Sequence, residues 1–221
     1  MAVNGRVQRS LGTTIDPEED KVTVNGEEIS LPAPLTILFN KPPGVITSTH
    51  DTHERLTVMD LLPRSLRLRG VLPVGRLDQD TQGLLVLTND GDLAHRITHP
   101  RYETEKEYEA LVLGTPSQGG LRRIEAGMIL DGEKTSPARI LSVSSPPPEG
   151  LPPEHVNEPC RMVRLVIHEG KKRQVRRMFE VIGNKVIRLR RLRIGGLSIG
   201  NLPEGQWREV GPDELKLLLG T

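Results

Sequence analysis

Apolar and polar residues alternate along several short segments of this chain, and a period of two is that of a half-buried strand. Residues 108–113, 138–143, 162–167 and 186–194 carry this pattern. Residues 35–39 and 84–87 are denser apolar runs, the second set between two polar turns. Helical spacing is confined to short stretches: 57–62 with Thr57 as N-cap, 92–98, 116–126, 174–182, and 212–219, which Pro212 opens. Strands outnumber helices and do not alternate regularly with them. The pattern predicts an α+β fold with a mixed, mainly antiparallel sheet flanked by short helices. Asn4-Gly5 and Asn25-Gly26 are hairpin signals inside residues 1–31, leaving 32–221 as the main body. The proline-rich stretch 146–159 reads as an exposed loop, because strand patterns resume on both sides of it.

Composition narrows the class. The 221 residues allow one large domain with a small appendage. No apolar run approaches membrane-spanning length and no signal segment follows Met1, so no membrane partner is expected. A lone cysteine, Cys160, excludes an internal disulfide and a cysteine-based metal cluster, which fits a reducing, cytoplasmic setting. With no evident interface, a monomer is expected. The net charge of +1 hides a segregation. Residues 161–193 are strongly basic, opposed only by Glu169 and Glu180, while acids gather at 16–20 and 103–109. Such a block suggests a polyanionic partner, with a solvated charged face as the alternative. Because its basic residues surround apolar strands, they are expected to line a surface groove.

Candidate chemistry centres on residues 75–92, GRLDQDTQGLLVLTNDGD. Arg76 and Asp78 stand on a polar turn anchored by the apolar run, an arrangement that fixes one carboxylate in space. Asp78, Asp80, Gln82, Gly83 and Asn89 come close to calcium-loop spacing, but the twelfth position lacks the bidentate glutamate. His95 and His99 have no acid pair to complete a zinc site. Lys41-Pro42-Pro43-Gly44 follows a strand as a turn and lacks the spacing of a nucleotide loop. In residues 166–183, VIHEGKKRQVRRMFEVIG, a strand turns into a helix that carries Arg173, Arg176 and Arg177 near its start. The helix dipole disfavours cations there, so a compensating anion is expected: an RNA phosphate, a protein carboxylate, or both. Tyr108 reads on its own as a tyrosine with its ring in the core and its hydroxyl at the surface. With only 2% aromatic residues, the chain argues against an RNA-binding platform of stacked rings.

These motifs, NKPPGV (40–45), GRLDQDTQGLLVLTNDG (75–91), KEY (106–108), EGKKRQVRRMF (169–179) and GQWREV (205–210), occur in an order that resembles the bacterial ribosomal-RNA pseudouridine synthases of the RsuA/RluB/RluE/RluF family. The resemblance covers residues 35–219 and implies the pseudouridine synthase fold with a central RNA-binding cleft. It implies Asp78 as the catalytic aspartate, Tyr108 as the tyrosine that stacks on the target base, and Arg176 as the basic residue that pairs with the aspartate. Arg76 would occupy the gap left by a flipped nucleotide, and Lys41, Lys171, Arg173, Gln174 and Arg177 would be RNA contacts. No cofactor is required. The partner implied is ribosomal RNA or an assembling ribosomal particle, the large subunit favoured by GQWREV. A small-subunit target, or an RNA-binding assembly factor on the same fold, are the alternatives. Residues 3–29 resemble the strand half of a small αL RNA-binding domain without its two leading helices, so a partial appendage adding little affinity is expected.

Overall fold

The computed structural model describes residues 1–16, 19–147 and 151–220. Residues 17 and 18 of the acidic run and 148–150 of the proline-rich loop lie outside them; the rest of that loop carries one tight turn, Pro153–His155. The chain divides into two units, Met1–Pro34 and Leu35–Thr221. In the first, β1 (Ala2–Val3), β2 (Arg6–Val7), β3 (Val22–Val24) and β4 (Glu27–Ile29) form an antiparallel sheet in the order β2-β1-β3-β4. Both hairpins turn as the sequence predicts. Asn4 and Gly5 have φ of 50° and 77°, Asn25 and Gly26 of 54° and 86°, the left-handed pair a two-residue hairpin needs.

The second unit is built on β5 (Thr36–Lys41), β6 (Leu72–Pro73), β7 (Thr81–Thr88), β8 (Lys106–Leu113), β11 (Arg139–Ser144), β12 (Cys160–Ile167), β13 (Lys185–Ile194), β14 (Leu197–Ser198) and β15 (Trp207–Glu209). Their order is β11-β12-β8-β13-β7-β5-β15, with β14 paired to β13 and β6 to β7. A separate hairpin joins β9 (Ile129–Leu130) to β10 (Glu133–Lys134). All pairings are antiparallel except β7 with β13. The mixed, mainly antiparallel sheet is therefore the one expected.

Its centre is buried on both faces, which explains the unbroken apolar runs. Ile37, Phe39, Leu85 and Leu87 point into one layer, and Leu38, Leu84 and Val86 into the other. Leu66 of α1 (Arg64–Leu68), Ile124 of α3 (Gln118–Glu125) and Val175, Met178 and Phe179 of α4 (Gln174–Val181) close the first layer. Leu93 and Ile97 of α2 (Gly91–Thr98) and Leu218 of α5 (Pro212–Leu219) close the second. The helix expected at 57–62 is a correction: those residues form turns, and α1 begins only after Pro63. Thr57 does cap, donating from N (2.8 Å) and Oγ1 (2.7 Å) to the Asp60 carboxylate. Proline at 63 disfavours helical backbone at Leu62, so the capped turn does not propagate.

Where β7 runs beside β13, a Cβ on Gly83 would sit 2.3 Å from the Arg191 carbonyl oxygen, and φ is +105°. Only glycine fits this approach without moving backbone. Gly83→Ala is expected to lower the free energy of unfolding by about 3 kcal/mol in urea denaturation. A loss under about 1 kcal/mol would mean that the two strands part freely.

Candidate active site

Asp78 lies three residues before β7 on a turn closed by Thr81 N–H donating to the Asp78 carbonyl at 3.1 Å. The NKPPG segment braces this turn from below. Gly44 N–H donates to Gln79 O (2.8 Å), the Gln79 amide returns a bond to Gly44 O (3.1 Å), and Thr47 Oγ1 donates to Leu77 O (2.9 Å). Lys41 is 0% exposed. Its ammonium donates to Pro42 O (2.9 Å), Gln79 O (3.3 Å) and Thr81 O (2.8 Å). That corrects its expected role: with no exposed surface and every proton engaged, Lys41 holds the turn and does not reach RNA.

Burial pushes the Lys41 ammonium down to about 8, against the opposing pull of Asp80, Asp78 and Glu204. Between about pH 8 and its ordinary 10.5, the unfolded chain binds more protons at this site than the folded one, so the Lys41 contribution to stability rises with pH. Unfolding free energies of wild type and Lys41→Met, compared at pH 7.5 and 9.5, should therefore diverge in favour of wild type on going up, about as far as linkage allows. Convergence would refute the shift.

Above the turn opens a cavity of about 270 Å³ whose walls include Arg76, Asp78, Tyr108, Arg173 and Leu189. Sheet register brings these together. Tyr108 on β8 and Gly83 on β7 both stand opposite Arg191 on β13. The Tyr108 ring joins the core and is 8% exposed, and its hydroxyl accepts from Arg191 at 3.4 Å. Arg76 is exposed at the rim. Among the described residues no group donates a hydrogen bond to the Asp78 carboxylate, which leaves both oxygens available to a ligand in the cavity.

The arginines take a different aspartate from the one expected. Arg173 grips Asp80 with two bonds of 3.0 Å. Arg176 lies with its Nε 3.3 Å from Asp80 Oδ2 and donates to Asp80 O (3.0 Å) and Val186 O (2.8 Å). Arg176 thus pairs with Asp80, not Asp78. It reaches Asp78 only through space, as one of the charges that favour its cationic form against burial. Burial raises the Asp80 carboxyl, but the two arginines outweigh it and hold the group below the usual range. The anion required at the start of α4 is this protein carboxylate. Arg173 is the N-cap residue there, in the left-handed region at φ 51°.

The other expected contacts divide. Lys171 lines the cavity while bonded to Glu133 (2.8 Å) and Lys134 O (3.2 Å). Gln174 is buried and works within the loop, accepting from Lys171 N–H (3.0 Å) and donating to Glu169, so a direct RNA contact is excluded for it in this conformation. Arg177 is absent from the cavity wall and pairs with Asp131. Lys172, not singled out in the sequence, is exposed on the same wall. The basic block is also less free than its sequence suggests. Glu107 takes Arg164 and Arg193, and Glu105 takes Arg139 and Arg193, so acids from 103–109 neutralise cations from 161–193 across the sheet.

Residues 35–181 match the family model for RNA pseudouridylate synthases, about two thirds of the chain and all the elements that carry Asp78, Tyr108 and Arg176. The chain belongs to the RNA pseudouridylate synthase family. It is similar to the ribosomal large subunit pseudouridine synthase B of Bacillus subtilis, with 40% identity over 98% of this chain and 84% of that protein. It is also similar to the ribosomal large subunit pseudouridine synthase E of Vibrio parahaemolyticus, 35% identical over 84% of this chain and 78% of that one. A crystal structure described as a pseudouridylate synthase superposes with a TM-score of 0.70 at 31% identity, over 98% of this chain and 87% of that one. As a pseudouridine synthase the protein is an isomerase, and the α+β pseudouridine synthase fold is the one observed.

Proposed function

We propose that the protein converts uridine to pseudouridine at a defined position of ribosomal RNA, the large-subunit RNA favoured by the names of the relatives above, with Asp78 as the catalytic group. The observation that carries this reading is a carboxylate on a braced turn, without a hydrogen-bond donor among the described residues, lining one open cavity together with Tyr108. Isomerisation breaks the bond from C1′ to N1, turns the uracil and joins C1′ to C5. The proton lost from C5 is balanced by one gained at N1, so no redox partner is involved. A carboxylate serves this either as nucleophile, at the sugar or the ring, or as base at the sugar. A uridine in structured RNA has to leave its stack first, at a cost of a few kcal/mol. Tyr108 offers the flipped base a ring face, and Arg76 stands at the rim where the vacated stack would lie.

Arg76, Lys172 and Arg173 are the basic residues of the cavity wall that remain accessible to a phosphate. The four-stranded N-terminal unit we read as the strand half of an αL-type RNA-binding module. Large- and small-subunit rRNA transcripts, free and as assembling particles, incubated with the protein and mapped by carbodiimide primer extension, test the function. One modified uridine in the large-subunit RNA is expected. Modification of the small-subunit RNA alone would move the target, and none on any substrate would favour an RNA-binding assembly factor.

A further inference from the structure

Next to the Asp78 cavity lies a second, larger one of about 650 Å³, with Arg76, Tyr108, Gly170 and Lys171 common to both linings. Lys106 and Tyr108, two apart on β8, face it from the same side of the strand. Arg191 lies across from Tyr108 on β13. Val74, Ile97 and Ile194 give it an apolar wall. The family assignment and the Asp78 chemistry leave this space unused.

Two cations meet here without a carboxylate bonded to either among the described residues. Arg191 is 3% exposed; its Nε donates to Leu84 O (2.8 Å) and one terminal nitrogen points at the Tyr108 hydroxyl. The other terminal nitrogen, Nη2, is buried without a hydrogen-bond partner. Lys106 gives one proton to Thr104 O (2.9 Å). Two acids line the cavity. Glu169 is engaged by Ser136 N–H and the Gln174 amide, and Glu103 lies 3.9 Å from His168 Nδ1. Burial and the neighbouring Arg191 charge push Lys106 down to about 8, as they do when a cation lacks its counter-ion. A buried, unsatisfied guanidinium N–H beside an ammonium is a site for an anion with several acceptor oxygens.

We propose that this second cavity is a nucleotide subsite, which takes the RNA residue next to the isomerised uridine with its phosphate on Lys106 and Arg191 and its base against Val74, Ile97 and Ile194. The proposal rests on the RNA-modifying function set out above. Its volume, more than twice that of the Asp78 cavity, suits a nucleotide with its phosphate where the first suits a base. The shared Tyr108 and Arg76 place the two occupants side by side, so the strand is unstacked over two residues rather than one.

Inorganic phosphate titrated into the full chain, followed by the side-chain NMR signals of Lys106 and Arg191, tests the anion site without any turnover. Saturable shifts of both are expected, absent with chloride at matched ionic strength, and lost at Arg191 in Lys106→Met. Unmoved signals in wild type overturn the proposal. On an RNA that wild type modifies, Lys106→Met is expected to raise KM about tenfold with kcat little changed, the loss of one charge-assisted contact. The slope of log KM against log salt should fall by about 0.7, one phosphate contact on a single strand. Unchanged KM and slope, with wild-type turnover intact, overturn the subsite and leave the function standing. Failure of wild type on every RNA overturns the function instead, and the phosphate titration still decides the anion site.

Discussion

Asp78→Asn is expected to lower single-turnover pseudouridine formation on the order of 10⁴-fold while RNA affinity stays within about twofold. The substitution preserves shape. The Asp78 turn is closed through its backbone and braced by Lys41, Gly44 and Thr47, none of which touches the carboxylate. No hydrogen bond is lost when the charge goes, so a fall in turnover reports chemistry rather than folding. An amide is neither a base nor a useful nucleophile at neutral pH, and the cavity supplies no second carboxylate within its walls. Rapid-quench kinetics with carbodiimide mapping measure the first quantity and filter binding the second. Residual turnover within about tenfold of wild type would remove Asp78 from the chemistry.

Much of this site was legible in the sequence because it is local. The turn chemistry of residues 75–80, the apolar run after it and the strand around Tyr108 each declare themselves over a few residues. What escaped was what the sheet brings together from afar. Asp80 read as part of a turn, yet two arginines more than ninety residues later converge on it. Lys41 read as a turn residue after a strand and, by resemblance, as an RNA contact, but the pairing of residues 44 and 79 closes over it. The basic block read as a groove because its residues surround apolar strands, and only the β8–β13 register reveals that Glu107, far upstream, lies opposite Arg193. Arg191 gave no signal at all: among so many arginines, nothing in composition marks the one that is buried. The helix at 57–62 was lost for a local reason that the sequence did contain, Pro63.

Arg176 and Arg173 share Asp80, and the structure predicts that they fail differently. The Arg176 side chain is 10% exposed, donates to the carbonyls of Asp80 and Val186 and keeps its Nε buried, so it is held inside the protein rather than presented to a phosphate. Its loss frees the Asp80 carbonyl, two residues from Asp78, and so loosens the turn that carries the carboxylate. Arg176→Met is therefore expected to cut kcat about 10²-fold through misplacement of the Asp78 turn, with KM changed little. Arg173 is 43% exposed and lines the cavity, where a phosphate could reach it. Arg173→Met should raise KM and lower the salt slope by about 0.7 while kcat holds. Steady-state kinetics of both variants at three salt concentrations separate the two. Equal losses in KM would make Arg176 a second phosphate contact, and would require its side chain to leave the pair with Asp80 when RNA binds.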